Sequence, residues 1–97
     1  MFEIKFTTDA IEDLRWFKKA ERKRIIAALE VALRYEPAVE TRNRKRLRAN
    51  QLAEWELRAG KLRIFFDIDP KNRLIKVEAV GYKKGNRLFI HGEEYEL

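Results

Sequence analysis

The second half of the chain alternates apolar and polar residues, and this pattern constrains the fold more than any other feature. Residues 55–59, 62–68 and 75–79 each alternate with a period of two, which is typical of half-buried strands. Gly60-Lys61 separates the first two runs, and Asp69-Pro70-Lys71-Asn72 separates the last two. Both are turn sequences. The sequence therefore predicts two consecutive antiparallel hairpins.

The loop lengths predict how these strands pair. A two-residue loop at 60–61 sets Trp55 opposite Phe66, and a four-residue loop at 69–72 sets Phe66 opposite Ile75. With this register one apolar face runs across all three strands, whereas a shift of one residue would destroy it. The opposite face is expected to be solvated. One of its rows is predicted to contain Arg58, Arg63 and Glu78.

The first half of the chain predicts a strand followed by two helices. Phe2–Phe6 alternates as a short strand, and Thr7, Thr8 and Asp9 then offer N-cap side chains, with Glu12 placed as in a capping box. Apolar residues then recur with helical spacing over 11–17 and again from about residue 20 to 35. Pro37 is expected to end the second helix. The predicted fold is α+β in the order β-α-α-β-β-β. A small antiparallel-rich sheet packs against an N-terminal helical hairpin, in one domain spanning 1–97.

Composition excludes several classes of protein. The 97 residues contain no Cys and one His, which argues against disulfides, thiol nucleophiles and multi-His metal sites, and we expect neither metal nor cofactor. No apolar run approaches the roughly 18 residues of a membrane span, and no signal peptide opens the chain. A cytoplasmic protein is therefore expected. The net charge of +6 favours an anionic partner: nucleic acid, the ribosome or an acidic protein.

The element order and several short motifs resemble the RelE/ParE toxins of bacterial toxin–antitoxin pairs. The motifs are Phe2-Glu3-Ile4-Lys5-Phe6-Thr7, the hairpin 55–64, the strand 77–81 and the following Tyr82-Lys83-Lys84. The resemblance implies a toxin neutralised by an acidic antitoxin segment that wraps around it. It leaves two activities open, because RelE-like members cut mRNA on the ribosome and ParE-like members poison DNA gyrase. A catalytically degenerate, antitoxin-binding relative is a third reading.

The resemblance also implies catalytic residues. Arg63 matches the strand arginine near the scissile phosphate, Lys83 matches a second basic residue, and Tyr95 is the candidate C-terminal tyrosine. Metal-free RNA cleavage needs cations for the phosphorane charge together with an acid and a base. His91 is the only imidazole and the natural acid–base candidate, with Glu54, Glu56, Glu78 and Tyr95 as alternatives. Where RelE-like nucleases have basic residues, this chain has Glu54 and Glu56. The leading hypothesis is a ribosome-dependent, metal-free mRNA endonuclease.

The candidate RNA contacts are mostly basic. Five of the seven residues 42–48 are basic, and this segment is interpreted as a nucleic-acid or ribosome contact, with a solvated loop or a dock for an acidic antitoxin as alternatives. Arg63 could instead form a cross-strand pair with Glu78, and His91 could be a solvated turn residue. Phe65, expected on the solvated face, could stack a base or lie beneath antitoxin. The candidate RNA-binding set is Arg42, Arg44, Lys45, Arg46, Arg48, Arg58, Phe65, Lys84 and Arg87.

Overall fold

The computed structural model describes residues 1–97 and contains two helices and seven strands. In chain order they are β1 (Glu3–Phe6), α1 (Thr8–Leu14), α2 (Lys19–Leu33), β2 (Arg44–Arg46), β3 (Trp55–Ala59), β4 (Leu62–Asp69), β5 (Leu74–Lys84), β6 (Arg87–Ile90) and β7 (Glu93–Tyr95). The strands form one sheet in the order β2-β3-β4-β5-β6-β7, and β1 pairs parallel with the first part of β5. This arrangement confirms the predicted α+β fold. Neither helix has the length and apolar content that a membrane span requires.

Local capping explains where the helices begin. The N-cap of α1 is Thr7, whose hydroxyl accepts the N–H of Ala10 at 3.1 Å, so the predicted capping box at Asp9 and Glu12 does not form the cap. At the start of α2 the Glu21 carboxylate accepts the backbone N–H of Lys18 at 3.0 Å. Both helices end earlier than the periodicity predicts, α1 at Leu14 and α2 at Leu33.

The helices cover one face of the sheet, here called the helical face. Ile25, Leu29 and Leu33 of α2 are buried there against the apolar side chains of β3, β4 and β5. At roughly 25 cal/mol for each Å² of buried apolar surface, this cluster is the main source of stability. The predicted pairing of β3 with β4 is confirmed, because Trp55 lies opposite Phe66.

The predicted pairing of β4 with β5 is wrong by two residues. The turn occupies 70–73, with Arg73 at a φ of 51°, so Phe66 lies opposite Val77 rather than Ile75. The register then changes again, because Phe65 pairs with Ala79 and leaves Glu78 as the extra residue of a β-bulge. The bulge keeps Val77 and Val80 on the helical face despite their odd spacing. The expected row of Arg58, Arg63 and Glu78 is therefore absent, and Arg63 lies opposite Gly81.

The other face of the sheet, here called the second face, is not the solvated surface that we expected. Phe65 is completely buried there in a small cluster with Ala53, Ala79 and Leu88. Segment 47–53 contributes Leu47 and Leu52 to its cover, and β6 and β7 contribute Ile90 and Tyr95. The sequence did not predict β2, β6 or β7, because none of the three is longer than four residues.

Candidate functional site

Three of the four predicted catalytic residues share the second face. In the sheet register, Arg63 of β4 lies opposite Gly81 of β5, and Gly81 lies opposite Ile90 of β6. The next row on the same face begins two residues further along β5 and contains Lys83, Leu88 and Tyr95. Because side chains two residues apart on a strand share a face, Arg63 and Lys83 are diagonal neighbours with Cα atoms about 7–8 Å apart. Tyr95 lies two strands beyond Lys83, about 10 Å away at the usual strand spacing.

Arg63 is held against its own hairpin. One terminal nitrogen donates to the carbonyl oxygens of Gly60 and Leu62, at 2.6 and 2.9 Å. The side chain is only 12% exposed, and its buried Nε has no hydrogen-bond partner. Burial lowers the pKa of Arg63 from its ordinary value, while Glu56 opposes this shift and Arg58 adds to it. The guanidinium still carries its charge, since an arginine pKa begins above 12.

Glu56 is a central residue of this site, and its position between two arginines was not predicted. Its carboxylate is buried, with Oε2 3.1 Å from Nε of Arg58 and Oε1 3.9 Å from Nε of Arg63. It therefore separates two arginines that face each other across β3 and β4. The alternative cross-strand pair of Arg63 with Glu78 does not form. The signal was present in the confirmed β3–β4 register, because Glu56 lies two residues from Arg58 on the same face.

The remaining cations at this end of the sheet are less constrained. The backbone N–H of Lys83 donates to the carbonyl of Lys61 at 2.8 Å, which joins the end of β5 to the turn between β3 and β4. Lys84 is exposed, and Arg87 lies 3.9 Å from Glu94. Neither Lys83 nor Lys84 takes part in an ion pair. Both ammonium groups are therefore available to an anionic ligand.

His91 contacts the helical layer rather than the second face. It lies in the turn between β6 and β7 at a φ of 56°, and its Nδ1 is 3.3 Å from Oδ1 of Asp13. The edge of its ring meets Trp16, with the ring centroids 5.0 Å apart. The structure therefore does not bring His91 together with Arg63 and Lys83.

Asp13, the partner of His91, is a residue that the sequence reading missed. It is buried in the last turn of α1, and its Oδ2 accepts the N–H of Val80 at 3.0 Å. Burial raises the pKa of Asp13, while the Val80 N–H and His91 both act to lower it. This carboxylate joins α1, β5 and the β6–β7 turn. Its charge gave no sequence signal, because a lone Asp on a helix is usually exposed.

The basic segment 42–48 divides into structural and exposed arginines. Arg44 is buried on the helical face, where Nε donates to the carbonyl of Val39 at 2.5 Å and a terminal nitrogen donates to the carbonyl of Ala32. The prediction that Arg44 contacts RNA is thus corrected, because its buried guanidinium donates to main-chain carbonyls. Burial also lowers its pKa. Arg42 and Arg48 are exposed.

The other members of the RNA-binding set differ in their exposure. Lys45 lies opposite Glu56 in the register of β2 and β3, on the second face, and is half-buried. Arg46 lies 3.5 Å from Glu54 and its guanidinium sits over the ring of Trp55. Phe65 has no exposed ring face, so its predicted stacking on a base is corrected: the loop and the C-terminal hairpin cover it. Nowhere do three or more His, Asp or Glu side chains meet in a way that could hold a metal ion.

Comparisons with known proteins identify the fold. No protein-family model and no curated protein matches the chain. Among solved structures it is similar to the toxin–antitoxin complex RelBE2 from Mycobacterium tuberculosis, with a TM-score of 0.73 and 23% identity over 84% of this chain and 91% of that one. It is also similar to the archaeal RelE–RelB complex from Pyrococcus horikoshii OT3, with a TM-score of 0.67 and 20% identity over 87% of this chain and 96% of that one. These likenesses confirm the predicted RelE-like fold.

Proposed function

We propose that this chain, which has the fold found in RelBE2 and in the archaeal RelE–RelB complex, is the toxin of a toxin–antitoxin pair and cleaves mRNA on the ribosome without a metal ion. The observation that carries the proposal is the common face of Arg63, Lys83 and Tyr95 in adjacent cross-strand rows. Phosphoryl transfer by the ribose 2′-OH requires cations beside the phosphate and a group that moves a proton, and this face offers both.

Each residue of the face has a proposed role. Lys83, whose ammonium group forms no ion pair, and Arg63 stabilise the negative charge that develops on the phosphate. We assign proton transfer to Tyr95 rather than His91, because His91 contacts Asp13 and Trp16 on the helical face. The cations that would guide RNA to this face are the exposed Arg42, Arg48, Arg58 and Lys84 and the half-buried Lys45.

The proposed antitoxin partner fits a groove on the helical side. A cavity of about 620 Å³ lies between α2 and the β2–β3 edge, and the exposed side chains of Val31 (86% exposed) and Tyr35 (71% exposed) lie beside it. Arg58 also lines this cavity. An amphipathic antitoxin segment with apolar residues on one face and acidic residues around them matches both the apolar lining and the charge of +6.

A single experiment tests the proposed activity. The chain is expressed without an antitoxin, and mRNA 5′ ends are mapped before and after induction. New ends inside translated codons are expected for the wild type and should be lost in Arg63→Ala, while Lys23→Ala on the exposed surface of α2 should behave as the wild type. Growth arrest without new mRNA ends would overturn the nuclease assignment.

One observation favours a second candidate, a toxin-like protein that binds its antitoxin without catalysis. Glu56 lies between Arg58 and Arg63, and Arg63 is only 12% exposed, so part of the positive charge on the face is already neutralised. Unimpaired growth at high expression, with retained binding of an acidic partner, would favour this candidate over the nuclease.

A further inference from the structure

A second cavity lies on the second face, away from Arg63 and Lys83. Its volume is about 600 Å³, and it is enclosed by segment 46–54 on one side and by Asp67 and Glu78 of the sheet on the other. The two walls have different chemistry. Arg48 supplies positive charge, Asp67 and Glu78 supply carboxyl groups, and the apolar part of the lining comes from Leu47, Leu52 and Ala53. The guanidinium of Arg46 lies over the ring of Trp55, outside the cavity.

The wall formed by segment 46–54 is held in shape by its own hydrogen bonds. The side-chain amide of Asn50 donates to the carbonyls of Arg48 and Ala53, at 2.7 and 2.9 Å, and its oxygen accepts the N–H groups of Leu52 and Ala53. All the hydrogen-bonding groups of this amide are thus directed into the loop. The backbone N–H of Glu54 then donates to Oδ1 of Asp67 at 2.8 Å, which fastens the loop to β4.

The carboxyl pair owes its position to the β-bulge. Glu78 is the extra residue of β5, and its side chain lines the cavity on the second face together with that of Asp67. Burial, reinforced by Asp67, raises the pKa of Glu78 to about 7, while Lys76, whose Nζ is 3.7 Å away, acts to lower it. When Glu78 is protonated, the pair presents one O–H donor and several acceptor oxygens to the cavity.

We propose that this cavity is a ribonucleotide-binding subsite in which Asp67 and Glu78 meet the Watson–Crick edge of an adenine or cytosine and Arg48 binds the phosphate. Both bases present an amino donor beside a ring-nitrogen acceptor, which matches an acceptor carboxylate beside a protonated carboxyl group. The apolar lining suits a flat ring, and Arg48 takes part in no ion pair. The subsite rests on the proposed function, because it takes RNA as the substrate.

The alternative occupant, an arginine or lysine side chain of a protein partner, fits the cavity less well. Arg48, which takes part in no ion pair, repels an incoming cation. A nucleotide instead places its phosphate at the basic wall and its neutral base at the carboxyl wall.

The test is an NMR titration of the full chain with AMP, CMP, GMP, UMP and ribose 5-phosphate at pH 6 and pH 8. The charged groups around Glu78 are Asp67, Lys76, Glu54, Arg46 and Arg48. AMP and CMP are expected to shift the amide signals of residues 47–54 and 78 and to bind about tenfold more tightly at pH 6 than at pH 8, because Glu78 loses its proton between these values. Ribose 5-phosphate corrects for titration of the phosphate itself.

Three variants sharpen the test. Glu78→Gln keeps a donor beside an acceptor at every pH, so it should abolish the difference between pH 6 and pH 8 while preserving binding. Arg48→Ala should weaken all four nucleotides about tenfold by removing a charged hydrogen bond, and Lys23→Ala on α2 should leave them unchanged. Equal binding of all four nucleotides and ribose 5-phosphate, or shifts confined to other residues, would overturn the subsite. So would binding of an arginine-rich peptide to the cavity with no shift from any nucleotide.

The proposed function and the subsite can fail separately. New mRNA ends from the wild type, with no nucleotide bound at the cavity, would remove the subsite and leave the nuclease. Selective binding of AMP and CMP without new mRNA ends would support the subsite and remove the nuclease assignment.

Discussion

Asp13 and His91, which are 78 positions apart in the chain, lie with Oδ1 and Nδ1 3.3 Å apart. The same carboxylate accepts the N–H of Val80, so one buried group links the end of α1, the strand beyond the bulge and the β6–β7 turn. Because β6 and β7 help to cover the second face, this contact acts on the packing of both faces of the sheet.

Asp13→Asn is expected to destabilise the protein by about 1–2 kcal/mol, because it weakens two hydrogen bonds to a buried carboxylate. Urea unfolding measures the change. Asp9→Asn, an exposed change on the same helix, is the matched control and should cost only a few tenths of a kcal/mol. Equal stabilities of the two variants would mean that the contact with His91 and Val80 contributes nothing.

Gly92→Ala is expected to destabilise the protein more than Gly85→Ala. Both glycines have positive φ values, of 78° and 63°, so each alanine costs about 1 kcal/mol of backbone strain. At Gly92 an added Cβ would also lie 2.7 Å from the ring of Trp16, whereas nothing lies within 4 Å at Gly85. Thermal unfolding compares the two, and Trp16→Ala should reduce the cost at Gly92 to that at Gly85. A cost unaffected by Trp16→Ala would exclude the steric contact as its source.

Glu56→Gln is expected to destabilise the protein by about 2 kcal/mol or more, because it leaves the mostly buried Arg63 facing Arg58 without an intervening negative charge. Glu54→Gln, at the more exposed position two residues earlier, should lie within about 0.5 kcal/mol of the wild type. Chemical denaturation at pH 7 checks both variants. A neutral Glu56→Gln would show that Arg63 is satisfied by the carbonyls of Gly60 and Leu62 alone.

Arg44→Met and Arg42→Met should separate stability from RNA binding. Arg44→Met leaves the carbonyls of Val39 and Ala32 without their donor and should cost about 2 kcal/mol of stability. Arg42→Met should leave stability unchanged and, under the proposed function, reduce the salt dependence of RNA binding by a slope of roughly 0.7 for one lost phosphate contact. Unfolding curves and binding at several salt concentrations provide the readouts. If Arg44→Met were as stable as Arg42→Met, the buried role of Arg44 would be refuted.

Glu78→Gln is expected to stabilise the protein at pH 8 and to have little effect at pH 5. The pKa of Glu78 rises from 4.5 to about 7 on folding, so the folded chain holds this proton more tightly than the unfolded chain. Protonated Glu78 therefore adds to the free energy of unfolding. This contribution is complete below about pH 4.5 and is lost as the pH rises to about 7, and it amounts to at most about 3 kcal/mol. Urea unfolding from pH 5 to pH 8 measures the free energy of unfolding of variant and wild type. In the difference between the two, the effects of the other titrating groups cancel. Glu93→Gln, at an exposed position, should show no such trend.

The parts of the fold that follow from local sequence were predicted correctly. The pairing of Trp55 with Phe66 follows from a two-residue loop and strict alternation, and the structure confirms it. The pairing of β4 with β5 was not predictable in the same way, because Arg73 extends the turn and Glu78 adds a residue to one strand only. A bulge is stabilised by what packs on it, here the Asp13 carboxylate on the N–H of Val80.

The sequence by itself determined the two helices, the strands β1, β3, β4 and β5 and the register of the first hairpin, because these depend on periodicity and loop length. The common face of Arg63 and Lys83 depends instead on the β-bulge at Glu78, which the sequence did not predict. Only the tertiary structure decided which polar residues are buried. Arg44, Glu56 and Asp13 look like surface charges in the sequence, yet each is enclosed by segments distant in the chain. Burial depends on where aperiodic segments such as 47–53 and the C-terminal hairpin pack against the sheet. That position is set by packing over the whole sheet, which no local pattern encodes.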